Sequence, residues 1–164
     1  MDTQSCVQEI TSVTEVCDEH LTGWAYWQFK NFGDLTTTAG TSSEGFYNKD
    51  GRLQQGKVKA LSRTYLQMTQ GDLVSMKFNS TNSNFDAKFT VDTSIQQPSV
   101  LYWSKAYYPL GFNFNIIDAQ GNSLSMESGD YNLDLSTVNY AKFTVLKPSL
   151  NGQTLTLSIN AKYI

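Results

Sequence analysis

The strongest constraint on this fold is an alternation of apolar and polar side chains that begins after Gly71 and continues to the C-terminus. A period of two is typical of strands that bury one face and expose the other. Clusters of Gly, Asn, Asp and Ser between the alternating segments predict tight turns. The alternating segments are Val74–Phe78, Phe85–Val91, Phe112–Ile116, Ala141–Val145 and Leu155–Tyr163, and Val100–Trp103 and Tyr131–Leu135 are two further candidate strands. They predict an antiparallel β-sandwich of seven or eight short strands over residues 72–164.

The first helix is predicted from an apolar repeat with a helical period near the N-terminus. Ser5 and Gln8 have the spacing of a capping box, and Gly23 is a terminator after the last apolar residue of the repeat. The repeat predicts an amphipathic helix with one apolar stripe. That stripe consists of Cys6, Ile10, Val13, Cys17 and Leu21.

The remainder of residues 1–71 predicts a strand, a long loop and a second helix. The aromatic run Trp24–Phe29 lacks polar alternation, which favours a strand covered on both faces. Residues 31–56 show no periodicity and predict a loop. The second helix is predicted to end at Gly71, with its apolar face formed by Val58, Leu61, Tyr65 and Met68. A helix–strand–helix unit of this kind is typical of α/β proteins.

Composition argues against several classes of function. Twelve basic and 15 acidic residues give a net charge of -3 without any polybasic run, which argues against a nucleic-acid groove. A single histidine, His20, and two cysteines predict neither a metal site nor another cofactor. Cys6 and Cys17 are predicted about 16 Å apart on one helix, too far for a disulfide. No transmembrane span is predicted, and the first ten residues lack the pattern of a signal peptide.

Several segments resemble the C-terminal part of glycoside hydrolase family 5, in its endoglycoceramidase-like and glucosylceramidase-like branch. The resemblance is most specific in the N-terminal unit and looser in the sandwich. The matching segments are Cys17–Leu21, Gly23–Lys30, Gly45–Tyr47, Lys57–Tyr65, Leu101–Trp103, Tyr107–Pro109 and Gly111–Phe112. The resemblance implies that residues 1–71 are the last unit of a (β/α)₈ barrel and that 72–164 are the sandwich that follows it.

The resemblance also implies a retaining β-glycosidase that cleaves sugar–lipid linkages with two glutamates. In the family these glutamates follow the fourth and seventh barrel strands, and this chain is expected to begin after the seventh. We therefore predict no catalytic residue in this chain, because none of its glutamates matches either position. A complementary N-terminal barrel segment is the implied partner, and the parent enzyme is implied to be secreted or lysosomal.

The substrate-binding residues implied by the resemblance lie around the end of the eighth strand. An aromatic residue there forms a wall of the sugar site in the family, and the matching position is Trp27. Gln28 and Lys30 are candidate hydrogen-bond donors at the rim, the alternative being a solvated surface. Phe46 and Tyr47 are candidate contacts for the lipid or aglycone, the alternative being that they fix the loop to the barrel.

A second hypothesis is a free-standing β-sandwich module that binds carbohydrate or glycolipid without catalysis. Exposed aromatic side chains on a sandwich can stack on sugar rings. Trp103, Tyr107 and Tyr108 are the candidates for such a surface. The alternative for the same three residues is that they pack the sandwich onto the preceding unit.

Overall fold

The computed structural model describes residues 4–27, 29–30, 45–48 and 50–163. Two α-helices precede eight β-strands, and a short 3₁₀ helix joins the last two strands. The helices are α1 (Gln4–Glu19) and α2 (Gln55–Leu61), and the 3₁₀ helix is Pro148–Leu150. The strands are β1 (Tyr65–Met68), β2 (Gly71–Asn79), β3 (Asn84–Val91), β4 (Ser99–Tyr102), β5 (Phe112–Ile117), β6 (Tyr131–Asp134), β7 (Tyr140–Val145) and β8 (Thr154–Ala161).

The eight strands form two four-stranded antiparallel sheets. One sheet has the order β1-β4-β7-β6 and the other has the order β2-β3-β8-β5. Alternate residues of both sheets, such as Phe89 and Phe143, meet in one apolar core. The predicted β-sandwich is confirmed, and each of the seven predicted segments contains a strand.

The sandwich begins earlier than predicted, because the second helix ends at Leu61 rather than Gly71. Ser62 terminates the helix, and its hydroxyl donates a hydrogen bond to the carbonyl of Val58. Residues Tyr65–Met68, predicted to continue the helix, instead pair with β4 as a strand. The helical prediction was wrong there because apolar spacing in so short a segment also fits a strand, and β4 supplied the hydrogen-bonding partner.

Gln70 connects the two sheets through a buried side chain. Its amide accepts a hydrogen bond from the backbone N–H of Val145 at 2.8 Å and donates one to the Val145 carbonyl at 3.1 Å. Its backbone N–H donates to the hydroxyl of Ser99, and its carbonyl accepts from the N–H of Asp92. A buried polar side chain thus satisfies both backbone groups of Val145, the last residue of strand β7.

The predicted strand Trp24–Phe29 is not a strand in the described residues. The run has no adjacent strand in the part of the chain that the structure describes, and a strand forms only with a hydrogen-bonded neighbour. Of the predicted loop at residues 31–56, positions 31–44 and 49 lie outside the described residues, as does the candidate site residue Gln28. Neither described helix is long and apolar enough to cross a membrane.

Candidate functional site

A buried ion pair joins the N-terminal helix to the sandwich. Asp18 lies near the end of α1, and its carboxylate accepts a hydrogen bond of 2.5 Å from Arg63, which precedes strand β1. Their side chains are only 7% and 2% exposed. The same Arg63 Nη2 donates to the carbonyl of Phe78 in β2, and the guanidinium lies 5.1 Å from the Phe78 ring. One arginine therefore contacts a helix and a sheet at the same point.

Burial is the main influence on the pKa of Asp18, the acid of this pair. Loss of solvent raises the pKa of Asp18 above its ordinary value, while the hydrogen bond and charge of Arg63 oppose that change. Arg63 Nε and Nη1 are also buried, and neither atom hydrogen-bonds to another described residue. Removing either partner would leave a buried charge without compensation, so the pair fixes how α1 sits on the sandwich.

Tyr107 and Tyr108 make the second contact between the helical segment and the sandwich. The Lys59 ammonium of α2 lies 5.2 Å from the Tyr107 ring, and that ring packs edge-on against Phe78 at 4.8 Å. The Thr64 hydroxyl donates to the Tyr108 hydroxyl at 3.1 Å, and burial raises the pKa of Tyr108 to about 12. Both tyrosines are buried and Trp103 is partly buried. The proposed exposed carbohydrate surface on these three residues is therefore wrong, because they serve as packing.

The described candidates for the sugar-site wall lie together on the helical side of the molecule. Trp27 is 67% exposed and Lys30 is exposed. The Phe46 N–H donates to the Phe29 carbonyl at 3.0 Å, which brings the second segment against the first. Phe46 stacks on Tyr26 at 5.6 Å, and Tyr47 packs edge-on against Phe29 at 5.5 Å. Phe46 and Tyr47 are thus partly buried by aromatic neighbours, whereas the Trp27 ring is available to a ligand.

Trp27 also borders a shallow cleft beside α1. The cleft has a volume of about 280 Å³ and runs between residues 24–27 and the apolar stripe of the helix. Cys6, Ile10 and Val13 line it from the helix. Val13 is 55% exposed and Trp24 is 40% exposed, so most of this apolar surface is not covered by the described residues. Among the described residues, no group of three or more potential ligands is placed to hold a metal ion.

The ion pair is the feature that sequence reasoning missed. The apolar stripe predicted the buried face of α1, yet the buried residues of the helix are Thr14 and Asp18. Asp18 and Arg63 both fall in segments that carry the family resemblance, but they lie 45 residues apart. The one available signal was an acid near the end of an amphipathic helix, next to its apolar stripe.

Two packed antiparallel sheets that carry a docked helical segment define a two-layer β-sandwich module. Comparison of the sequence with known families identifies the module further. Residues 63–158 match the Glycoside hydrolase family 5 C-terminal domain, and the chain belongs to that family. The match begins at Arg63, the residue that joins helix and sandwich.

Two curated relatives are endoglycoceramidases. The endoglycoceramidase of Cyanea nozakii is 24% identical over 117 residues, which are 70% of this chain and 23% of that protein. Endoglycoceramidase I of Rhodococcus hoagii (strain 103S) is 30% identical over 106 residues, which are 65% of this chain and 18% of that protein. The chain therefore matches about a fifth of the length of each relative.

Solved structures share the fold over almost the whole chain. The lactosyl-enzyme intermediate of endo-glycoceramidase II from Rhodococcus sp. matches 99% of this chain and 32% of that chain, with a TM-score of 0.66 and 15% identity. Cryptococcus neoformans sterylglucosidase 1 matches 97% of this chain and 25% of that chain, with a TM-score of 0.63 and 13% identity. Because both matches extend beyond residues 63–158, the likeness includes the helical segment as well as the sandwich.

Proposed function

We propose that this chain forms the C-terminal part of a retaining β-glycosidase that hydrolyses glycolipids, and that it contributes a wall of the sugar site without supplying either catalytic glutamate. Family membership and the two endoglycoceramidase relatives support the glycosidase and the glycolipid class. The proposed partner is the complementary barrel segment, which would carry both catalytic carboxyl groups.

The roles of the buried acids support the proposal that this chain supplies neither catalytic carboxyl group. A retaining glycosidase needs two carboxyl groups about 5 Å apart that face the substrate. The buried carboxylates among the described residues are Asp18 and Asp130, and each is paired with a cation. Asp18 binds Arg63, while Asp130 binds Lys147 at 2.9 Å and accepts the N–H of Ser125. Both acids are therefore engaged in holding the fold.

The exposed aromatic residue of the helical segment supports the role as a wall. A flat indole such as that of Trp27 can stack on the apolar face of a pyranose. Phe46 and Tyr47 would contact the lipid or aglycone from a segment fixed by Tyr26 and Phe29. Gln28 and Lys30 would donate hydrogen bonds at the rim. Trp27 carries this part of the proposal, since the residue is 67% exposed.

Uncovered apolar surface supports a barrel segment as the partner. Large apolar side chains are unusual on a soluble surface when they lie together, and such patches mark interaction sites. They occur along α1 and the segment that follows it. The side chains more than half exposed are Val13, Val16, Trp27 and Phe29.

Hydrolysis assays on the purified chain test the proposal. We expect no release of product from a fluorogenic β-glucoside or from glucosylceramide. Turnover that co-purifies with the chain through successive purification steps would contradict the proposal.

A further inference from the structure

Three tyrosines form a row across the outer face of one sheet. Tyr65 of β1 pairs with Tyr102 of β4, and Tyr102 pairs with Tyr140 of β7. The ring centroids are 5.3 Å and 5.7 Å apart, respectively. Their chain neighbours Leu66 and Leu101 point into the core, so the three rings lie on the opposite, outward face. This tyrosine row extends over two strand spacings, about 10 Å.

The hydroxyl groups of the tyrosine row make no hydrogen bond within the part of the chain that the structure describes. None of the three donates to or accepts from another described residue, although the rings are half-buried. The hydroxyls lie close enough to influence one another: burial raises the pKa of Tyr65, and Tyr140 and Tyr102 add to that shift. Buried Tyr108 differs, because its hydroxyl accepts the hydrogen bond of Thr64. Donors and acceptors are therefore available beside a continuous aromatic surface.

Space for a ligand adjoins the tyrosine row. Tyr65 and Tyr102 line a cleft of about 640 Å³ between the helical segment and the sandwich. Trp24 and Phe46 line the same cleft from the helical segment. Clefts of this size, mainly apolar and aromatic with a few polar groups, are typical of small-molecule sites. Ser62 and the mutually paired Asp18 and Arg63 also line the cleft, so its polar groups include theirs as well as those of the two tyrosines.

We propose that the tyrosine row is a binding site for a neutral oligosaccharide, in addition to the sugar-site wall at Trp27. Phe46, proposed above as a lipid or aglycone contact, lines the cleft that adjoins the row. Pyranose rings offer an apolar face of C–H groups and an edge of hydroxyls, which match aromatic rings and phenolic hydroxyls respectively. Charge is sparse on this face: Lys142 and Asp134, which pair across β7 and β6, lie on the next row. A phenolic hydroxyl both donates and accepts, as a sugar hydroxyl requires, whereas a proline-rich peptide would present mainly carbonyl acceptors.

Titration of the unmodified chain with cellotetraose, followed by amide chemical shifts, tests this proposal without any substitution. We expect saturable shifts in β1, β4 and β7 near the tyrosine row. Shifts confined to residues 24–30, or no shifts at millimolar sugar, would overturn it. A proline-rich decapeptide is titrated in parallel. Shifts at the row with the peptide and none with the sugar would also overturn it.

Substitutions of Tyr140 then measure how much its ring and its hydroxyl contribute to binding. Tyr140→Ala is expected to weaken cellotetraose binding about ten-fold, equivalent to about 1.4 kcal/mol. Tyr140→Phe keeps the ring and loses only the hydroxyl, so it separates stacking from hydrogen bonding and is expected to weaken binding less. The matched control is Tyr163→Ala, because Tyr163 is 78% exposed and lies outside the row. Equal affinity for Tyr140→Ala and Tyr163→Ala, with both variants folded, would overturn the proposal. The test does not depend on hydrolysis, so it is independent of the proposed function.

Discussion

At the scale of single residues, the contact between Asp18 and Arg63 determines how the first helix meets the sandwich. Both side chains are almost fully buried, and Arg63 also binds the Phe78 carbonyl of β2. Burying an ion pair costs free energy because both charges lose their hydration. Removing one partner costs more, because the other charge then stays buried without compensation. Its main effect is therefore to specify one arrangement of helix and sheet.

Substitution of the acid measures that effect. Asp18→Asn leaves the Arg63 guanidinium buried without a counter-charge, and we expect it to lower the free energy of unfolding by about 3 kcal/mol in urea titrations. Glu19→Gln is the control, since Glu19 is exposed on the same helix. The double variant Asp18→Asn/Arg63→Met should recover much of the loss. Equal unfolding midpoints for Asp18→Asn and Glu19→Gln would contradict the account.

At the scale of elements, the junction between β1 and β2 depends on a buried polar side chain that hydrogen-bonds the end of the inner strand β7. Gln70 follows β1 and hydrogen-bonds both backbone groups of Val145. The next residue, Gly71, has a φ of 125°, and a Cβ there would meet the Thr90 carbonyl oxygen at 2.0 Å. This junction is therefore fixed by one buried amide and by a position that only glycine can occupy.

Removal of the Gln70 amide tests its role at the end of strand β7. Gln70→Leu is nearly the same size but leaves the N–H and C=O of Val145 unpaired in the interior. We expect a loss of about 2 kcal/mol in the free energy of unfolding. Gln67→Leu is the matched control, because the Gln67 side chain is exposed on the preceding strand. A loss no larger than that of the control would contradict the assigned role.

Aspartates in the turns make the sandwich sensitive to acid. Their carboxylates accept hydrogen bonds from nearby backbone and side-chain groups, which hold their pKa values below the ordinary value of 3.8. The four are Asp92, Asp118, Asp130 and Asp134. A folded pKa below the unfolded one contributes stability at pH above about 4 that is lost as the pH falls through the folded value. The raised pKa of Asp18 acts in the opposite direction.

Urea unfolding between pH 7 and pH 3 checks this dependence. We expect the free energy of unfolding to fall below about pH 4, and the fall to be smaller in Asp118→Asn. Asparagine can still accept the N–H groups of Gln120 and Asn122, which bond to the Asp118 carboxylate at 2.9 Å and 2.8 Å. Stability that is constant over this range, or an identical acid response in the variant, would contradict the assignment.

The sandwich strands were predictable from the sequence, and the connection to the helical segment was not. Alternation located β2, β3, β5, β7 and β8 because each of these strands has one apolar face, which is a local property. Strand β1 was missed because the spacing of its apolar residues fits both a helix and a strand. Only its pairing with β4 decides in favour of the strand. Trp24–Phe29 was predicted as a strand from composition, although strand formation depends on a neighbour. The Asp18–Arg63 contact joins residues 45 positions apart, which no local pattern reveals.

For the candidate site residues, the sequence predicts which side chains could bind a sugar better than it predicts whether they are exposed or buried. Trp27 was singled out as a ring at a sugar-binding position, and its exposure agrees with a ligand-binding role that stays a prediction. Tyr107 and Tyr108 illustrate the opposite case, because aromatic side chains suit a binding surface and a core equally well. Only the packing of Lys59 and Thr64 against them decides between the two.

At the scale of the whole molecule, the chain combines a closed sandwich with an open helical segment. The sandwich has a continuous core, whereas α1 and the residues after it expose apolar side chains. This asymmetry agrees with a module that is completed by another segment, as proposed for the barrel of a glycosidase. A relative offers a way to test this completion. The chain matches 32% of the endo-glycoceramidase II structure from Rhodococcus sp., so it can replace the matching part of that enzyme.

The central claim is tested most directly by the hydrolysis of a fluorogenic β-lactoside by a chimera. In the chimera this chain replaces the matching part of endo-glycoceramidase II. We expect hydrolysis by the chimera, and Trp27→Ala should lower kcat/KM by about ten-fold because one stacking surface for the sugar is lost. Trp27→Phe keeps a ring and should retain most of the activity, while Tyr163→Ala should retain all of it. A Trp27→Ala chimera as active as the unsubstituted one would contradict the account.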